Sequence, residues 1–334
     1  MRAAVLGTDG LTIETLADPA PLPDQLVLRT ACAGTCGSDL NAGLFLPHGS
    51  VLGHEFSGHI VEVGRDAGDH WQVGQLVTAL PALGCGHCDA CRSNNPVHCA
   101  SVRYVGLDAP GGFAEYVAVG GREAKLLPDG VSAEMGALVE PLTIGLHQLN
   151  SAGPVEGRLV VVLGCGPIGL AAVLWANLFG ARTVVASDPV AVRREAAVRA
   201  GAEVAIDPTT SNLATELRDR FGARADIVIE CAGDLIPEAI RVVRRGGTVV
   251  VAAMSKRPVG FETKHAHMRE VSMVFPSWYH GDEWTTTIDA LATRRIEPQW
   301  MISHRVSLHD FPQAYADLQH PTDQSKVMID FNLT

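Results

Sequence analysis

The sequence predicts an α/β protein whose largest unit is a doubly wound parallel β-sheet. The main observation is the stretch 159–188, in which an aliphatic run, a glycine-rich turn, a helical segment and a second apolar run follow one another. Such runs are typical of strands that are buried on both faces. The alternation continues beyond residue 188, whereas the residues before about 145 form short alternating runs typical of a β-rich domain. We therefore predict two domains of different architecture.

The same patterns give the bounds of the individual elements. In the first part of the chain, β-strands are predicted over 2–6, 11–16, 25–29, 57–63, 75–80 and 113–119. Further along, helices are predicted over 190–200, 235–245 and 284–293, and strands over 160–163, 183–186, 226–230, 248–252, 273–275, 302–306 and 326–331. The parallel sheet should then have about six strands.

The turn with the sequence GCGPIG, at 164–169, predicts a dinucleotide site. Its first glycine permits a tight turn, its second lets a pyrophosphate approach the backbone, and its third lets the helix pack closely on the strand. The proline suits the first turn of the helix, where free N–H groups face the phosphates. The predicted cofactor-binding residues here are Gly164, Gly166, Pro167, Ile168 and Gly169.

Asp188 predicts which dinucleotide is bound. It ends the second apolar run, about twenty residues after the turn, where a carboxylate accepts a hydrogen bond from a ribose 2′-hydroxyl and repels a 2′-phosphate. NAD is therefore the predicted cofactor. Arg193, which we include among the cofactor-binding residues, and its neighbour Arg194 could reach a phosphate, so NADP stays open as the alternative. Arginines on a helix face are, however, usually solvated.

Composition and charge exclude several classes of partner. A net charge of -11 and a pI near 5.6 argue against nucleic acid and anionic membranes. The uncharged stretch 159–181 is long enough for a transmembrane helix, but its clustered glycines and the flanking Arg158 and Arg182 favour a strand, turn and helix. The apolar run at the start of the chain ends at Gly7, which is too early for the apolar core of a signal peptide, so we expect a cytoplasmic protein.

Four cysteines in one short loop predict a metal site. They have the spacing C-x2-C-x2-C-x7-C and are Cys85, Cys88, Cys91 and Cys99. Four thiolates so close together are the ligand set of a closed, tetrahedral zinc site, which stabilises a loop and takes no part in catalysis. An iron–sulfur cluster and unmetallated thiols are the alternatives.

A second candidate metal set is dispersed along the chain. It consists of Cys36, His54, Glu55 and Glu140. Taken alone, Cys36 is more often a buried thiol and Glu55 a solvated acid. Their combination is what indicates a site.

The motifs GTCGSD, GHE, the four-cysteine loop, VEPL and GCGPIG occur in this order along nearly the entire chain. In that order they resemble the zinc-dependent medium-chain dehydrogenase family, most of all its sorbitol, polyol and threonine dehydrogenase branch. The resemblance implies a GroES-like β-barrel catalytic domain over 1–145 and 285–334, with a structural zinc lobe at about 81–103. It also implies an inserted Rossmann NAD-binding domain over 146–284 and an active-site cleft between the two.

The resemblance also implies roles for the dispersed residues. Cys36 and His54 would be ligands of a catalytic zinc and Glu55 a direct or exchangeable one, which makes two zinc ions per chain with the structural one. Glu140 matches an acid that binds zinc or holds its water, and Ser38 matches the hydroxyl that passes the alcohol proton outward. Two anionic ligands neutralise a divalent zinc, so we expect Glu140 to exchange or to remain outside the ligand set.

Two departures from the family pattern concern the substrate. Where many relatives carry a relay histidine three residues after the serine, this chain has Asn41, whose amide cannot accept and release a proton near neutral pH. Trp278, before Tyr279, stands where polyol dehydrogenases usually have arginine. An apolar indole ring at this position replaces a group that binds several hydroxyls, which argues against sorbitol itself as the substrate.

The predicted activity is reversible oxidation of a secondary alcohol, polyol-like or sugar-alcohol-like, to a ketone with NAD. An aminocyclitol or amino-alcohol dehydrogenase is the alternative within enzymes, and a non-catalytic NAD-binding sensor is the alternative of another class. The expected partner is a small alcohol or ketone. By resemblance, a homotetramer or homodimer is expected.

Overall fold

The computed structural model describes residues 1–255, 257–319 and 324–333. The chain divides into two compact units. One unit comprises Met1–Pro141 and His280–Thr334, and the other comprises Leu142–Tyr279.

The first unit is built on a seven-stranded sheet and two small two-stranded sheets. Its strands are β1 (Arg2–Gly7), β2 (Gly10–Thr15), β3 (Gln25–Gly34), β4 (Glu55–Val63), β5 (Leu76–Ala79), β6 (Ala82–Leu83), β7 (Arg103–Tyr104), β8 (Tyr116–Gly120), β9 (Ala124–Leu126), β16 (His304–Val306) and β17 (Val327–Asp330). In the large sheet the order is β16-β17-β3-β4-β5-β9, with β8 also paired to β3. The chain thus returns to this sheet after the second unit, as the resemblance implied.

Strand β3 is the longest strand of that sheet and has three partners. It pairs antiparallel with β4, β8 and β17, and all but one of its ten residues are buried. At its end, Gly34 lies opposite both Glu55 of β4 and Met328 of β17. The residues that follow β3 and those that begin β4 are therefore held side by side.

The second unit is a six-stranded parallel sheet. Its strands are β10 (Leu159–Leu163), β11 (Thr183–Ser187), β12 (Val204–Ile206), β13 (Ala225–Glu230), β14 (Val243–Val251) and β15 (Ser272–Val274). Their order is β12-β11-β10-β13-β14-β15. Successive strands are thus added first on one side of β10 and then on the other, as in doubly wound sheets. Every residue of β10 is buried, which explains its unbroken apolar run.

The helices cover the following ranges. They are α1 (Asp89–Arg92), α2 (Ala133–Ala137), α3 (Val139–Ala152), α4 (Pro167–Leu178), α5 (Ala191–Arg199), α6 (Leu213–Phe221), α7 (Ile236–Val242), α8 (Thr263–Met268), α9 (Gly281–Ala292) and α10 (Phe311–Asp317). Short 3-10 helices cover Asp39–Leu44, Pro96–His98 and Gln299–Met301. Within the described ranges, no helix combines the length and the apolarity that a membrane crossing requires.

Several predicted elements differ in their bounds: the strand predicted over 25–29 extends to Gly34, and the strand predicted from 113 begins at Tyr116. The helix predicted over 235–245 ends at Val242, and β14 begins at Val243 rather than at 248. Val243 pairs with Ala225 of β13, and the register then shifts before Thr248 pairs with Ile227. In between, Arg244 Nε donates to Asp226 Oδ1 at 2.6 Å. These contacts with a distant strand override the helical pattern of the local sequence.

Candidate active site

Three of the four dispersed candidates come together in the first unit. One ligand atom each from Cys36, His54 and Glu55 lies within 4.8 Å of the other two. Cys36 follows the end of β3, while His54 and Glu55 lie at the start of β4, so the pairing of Gly34 with Glu55 brings them together. A thiol, an imidazole and a carboxylate are a donor set that suits zinc.

His54 lies beside a buried aspartate that was not selected from the sequence. Asp39 is buried, its Oδ2 accepts a hydrogen bond from Cys36 N at 2.9 Å, and its Oδ1 lies 3.4 Å from His54 Nδ1. Burial alone would lower the pKa of His54, but the charge of Asp39 and the contacts with Asp39 and Cys36 raise it well above its ordinary value. A carboxylate behind a histidine in this way fixes the ring of a metal ligand.

The surroundings of the Glu55 carboxylate favour a cation bound beside it. Glu55 is fully buried, and its Oε2 accepts a hydrogen bond from Lys326 Nζ at 2.5 Å. Its Oε1 is also buried and has no hydrogen-bond partner among the described residues. A buried carboxylate oxygen without a partner is costly, and a metal ion beside it would satisfy it.

The other residues predicted for this site lie as follows. Ser38 and Asn41 are half-buried, Ser38 just before and Asn41 within the 3-10 helix that follows Cys36. Asn41 Nδ2 donates to Gly37 O at 3.1 Å. Glu140 is buried in the first turn of α3, and among the described residues it does not belong to the group formed by Cys36, His54 and Glu55.

The four-cysteine loop forms a second candidate metal-binding cluster in the same unit. The sulfur atoms of Cys85, Cys88, Cys91 and Cys99 lie within 4.8 Å of one another. A hydrogen bond with the Ser101 hydroxyl and contacts with the Cys85 and Ser101 backbone lower the pKa of Cys99 to about 6. Backbone hydrogen bonds also lower the pKa of Cys85, whereas burial raises that of Cys91 to about 12. Four thiol groups at this spacing fit a tetrahedral zinc ion.

The glycine-rich turn lies in the second unit, between β10 and α4. Gly164 has a φ of 92°, which favours glycine, and a Cβ on Gly169 would lie 1.9 Å from Gly164 O. A Cβ on Gly166 would meet nothing within 4 Å, so its backbone is open to a ligand. Pro167 begins α4, and Ile168, which follows it, is half-buried. The turn can therefore hold a pyrophosphate at the helix N-terminus.

Asp188 lies at the end of β11 beside this turn. It is buried, and its two carboxylate oxygens accept hydrogen bonds from Cys165 N and Val190 N, both at 2.8 Å. Arg194 is half-buried rather than solvated, because its guanidinium pairs with Asp207 Oδ2 at 3.1 Å. Arg193 is also half-buried, and its Nε has no hydrogen-bond partner among the described residues.

The two aromatic residues predicted for the substrate pocket end the second unit. Trp278 is half-buried and has a φ of 62°, which is uncommon for a bulky residue. Tyr279 is buried, and its ring lies 6.4 Å from that of Trp278, edge to face.

Matches to family models decide the identity of the chain. Residues 167–293 match the model of a zinc-binding dehydrogenase, and residues 22–129 match that of an alcohol dehydrogenase GroES-like domain. The chain belongs to the zinc-dependent medium-chain dehydrogenases. This dehydrogenase is therefore an oxidoreductase, and polyol, sugar-alcohol and inositol dehydrogenases are among its relatives.

Individual relatives agree with this assignment over almost the full chain. The dehydrogenase is 31% identical to L-galactonate-5-dehydrogenase of Escherichia coli K12, over 89% of this chain and 88% of that one. Its fold matches that of a zinc-binding dehydrogenase from Sinorhizobium meliloti 1021 bound to NADP, with a TM-score of 0.90, 32% identity and 98% of each chain covered. It also matches a dehydrogenase from Escherichia coli CFT073 complexed with NADH, with a TM-score of 0.91, 27% identity and 99% of each chain covered.

Sequence reasoning missed Asp39 and Lys326. Asp39 lies within the GTCGSD motif, so its position between two ligands could have been suspected from its closeness to Cys36. Lys326 lies 271 positions from Glu55, and only the pairing of β17 with β3 brings the two together.

Proposed function

We propose that this dehydrogenase oxidises a secondary alcohol of a polyhydroxylated substrate, such as a polyol or a sugar acid, to a ketone with NAD. The observation that carries the proposal is the convergence of Cys36, His54 and Glu55 with a buried, unsatisfied Oε1 on Glu55. The names of its relatives support the substrate class, because they act on hydroxyl-rich compounds such as L-galactonate.

In this proposal the chain's residues hold a catalytic zinc ion and move a proton. Cys36, His54 and Glu55 hold the metal, and Asp39 keeps the His54 ring in place. When bound, zinc supplies Lewis-acid chemistry and NAD supplies the hydride acceptor. Ser38 Oγ accepts the proton of the alcohol, and because Asn41 cannot relay it, the proton passes from there to water.

Asp188 supports the preference for NAD. Its carboxylate lies at the end of β11, where a 2′-phosphate would meet its negative charge. We propose that the residues at 164–169, together with Asp188 and Arg193, bind the cofactor. The counter-proposal is NADP bound by Arg193, and a comparison of kcat/KM with the two cofactors decides between them.

We also propose two zinc ions per chain and a homo-oligomer, either a dimer or a tetramer. The four-cysteine cluster supports the second zinc ion. Strand β15 is an edge strand of the parallel sheet and is followed by the exposed Phe275, features that suit pairing between subunits.

The test combines zinc content with a substrate screen. The purified protein should contain two zinc ions per chain, and it should form NADH with members of a panel of polyols, sugar acids, cyclitols, amino alcohols and simple secondary alcohols. Activity confined to amino alcohols would favour the amino-alcohol alternative. Two zinc ions without NADH formation across the panel would favour a sensor, and a single zinc ion would contradict the catalytic site.

A further inference from the structure

Lys326 is an unusual residue for its surroundings. It lies immediately before β17 and is 1% exposed, and no other lysine or arginine of the described ranges is buried. Burying an ammonium group is unfavourable unless it is paired and hydrogen-bonded. Its contacts therefore show what it does.

Both hydrogen bonds of the Lys326 ammonium group lead to the candidate zinc site. Its Nζ donates to Thr35 O at 2.9 Å and to Glu55 Oε2 at 2.5 Å. Thr35 immediately precedes Cys36, so the ammonium contacts the backbone beside one candidate ligand and the side chain of another.

The backbone makes room for this pair at Gly34. A Cβ there would lie 2.5 Å from Glu55 Oε2 and 3.5 Å from Lys326 Cδ. Any larger residue would displace the carboxylate. The glycine at the end of β3 is thus required by the position of the Glu55 side chain rather than by its own backbone angles.

We propose that Lys326 is a positioning residue for the zinc site: it holds Glu55 Oε2, offers Oε1 alone to the metal, and offsets one of the two anionic ligand charges. The inference rests on the proposed zinc site. Oε1, which is buried and has no hydrogen-bond partner among the described residues, is the oxygen left for the metal.

The charge of Lys326 changes the electrostatics of the site. A thiolate at Cys36 and a carboxylate at Glu55 would cancel a divalent metal ion, so a neutral cluster would favour an ionised alcohol only weakly. With the ammonium group included, the metal ion and its two anionic ligands carry one net positive charge, which balances the buried carboxylate of Asp39 beside His54. Without the ammonium group, the same set together with Asp39 would be negative before any further acid such as Glu140 approached.

The experiment uses the full-length protein and three variants. Lys326→Arg keeps the charge and the donors, Lys326→Gln keeps a shorter donor without charge, and Lys326→Met removes both. Zinc affinity is measured by chelator competition, and the absorption spectrum of the protein with cobalt at the catalytic site reports the ligand geometry. The zinc of the four-cysteine loop is the internal control.

We expect Lys326→Met to bind the catalytic zinc about 10–100-fold more weakly and to change the cobalt spectrum, because the groups that orient metal ligands have effects of this size. The Lys326→Arg variant should restore both, and the structural zinc should be retained throughout. Unchanged affinity and spectrum in Lys326→Met would overturn the proposal.

Two further outcomes keep the test decisive. If Lys326→Met does not fold, Lys326→Gln replaces it. We expect Lys326→Gln to bind the catalytic zinc more weakly and to have an altered cobalt spectrum. Unchanged zinc affinity and an unchanged spectrum would overturn the proposal. If the wild-type protein itself holds only the structural zinc, the proposed function fails. If the wild type holds two zinc ions and Lys326→Met has unchanged zinc affinity and an unchanged cobalt spectrum, only the role of Lys326 is overturned.

Discussion

The two candidate metal-binding clusters of the first unit are built in opposite ways. The four-cysteine cluster comes from one loop, and its sulfur atoms belong to residues at most 14 positions apart. The cluster of Cys36, His54 and Glu55 forms where two strands meet, and Asp39 and the distant Lys326 contact it. The groups around the first cluster come from its own loop, such as Ser101, whereas the groups around the second are buried and one of them comes from a distant part of the chain.

This difference indicates a division of labour. A closed set of four thiolates has no position left for a substrate and therefore stabilises a loop. A set of three ligands on a rigid sheet leaves a position open and keeps its geometry through the contacts behind it. Changes in the first cluster should therefore affect stability, and changes in the second should affect turnover.

Replacement of Cys36 by serine tests the catalytic side of the comparison and should have the largest effect. We expect turnover to fall about a thousandfold or more, because the Lewis acid contributes several kcal/mol to the reaction. The melting temperature should fall by less than in a variant of the four-cysteine loop, because the strands that carry this site are also held together by sheet pairing. Zinc content should fall from two ions to one. Cys32→Ala, in the strand β3 that precedes Cys36, is the control and should keep both ions.

Replacement of Cys88 by serine tests the structural side. We expect the free energy of unfolding to fall by about 4 kcal/mol, the size typical of losing a bound metal. The loop also supports the start of α9, since Asn94 O accepts a hydrogen bond from Gly281 N at 3.0 Å and Asn94 Nδ2 donates to Asp282 at 2.8 Å. Denaturant unfolding measures the change. Loss of turnover at unchanged stability would contradict the proposed division.

Replacement of Glu140 by alanine tests whether an acid outside the ligand group assists the cluster of Cys36, His54 and Glu55. We expect turnover to fall about 10–100-fold while both zinc ions remain bound, because Glu140 lies outside the ligand group and acts on it from there. Steady-state kinetics and zinc content are the measurements. Glu134→Ala, in the preceding helix, is the control. Full turnover at full zinc content would show that Glu140 has no such role.

Replacement of His87 by alanine should have the smallest effect. His87 lies inside the four-cysteine loop, but it is exposed, and its Nδ1 contacts the Cys85 carbonyl oxygen at 2.8 Å. We expect a change in unfolding free energy below about 0.5 kcal/mol, with both zinc ions retained. If zinc were lost, the histidine rather than one of the thiols would be a ligand.

The parts of the molecule that were predicted from sequence are those that local patterns determine. The buried strand β10, the turn at Gly164 and the four-cysteine loop each depend on neighbouring residues, and each has the predicted form. The end of α7 at Val242 was predicted wrongly, because the pairing of Val243 with Ala225 outweighs helix propensity.

The surroundings of the dispersed cluster could not be predicted in the same way. A single lysine before an apolar strand carries no local pattern, and its partner Glu55 lies 271 positions away. Its burial follows from the antiparallel pairing of β17 with β3, which is a property of the folded sheet. Asp39 was within reach of sequence reasoning, since it lies three positions from Cys36.

The three-partner arrangement of β3 has a consequence for the order of assembly. The four-cysteine loop can close as soon as its own short segment has left the ribosome. The site at the end of β3 needs β4, which follows soon after, and also β17, whose neighbour Lys326 lies 291 positions from Thr35. During synthesis the candidate catalytic site is therefore completed late, after the segment that carries the four cysteines has been made.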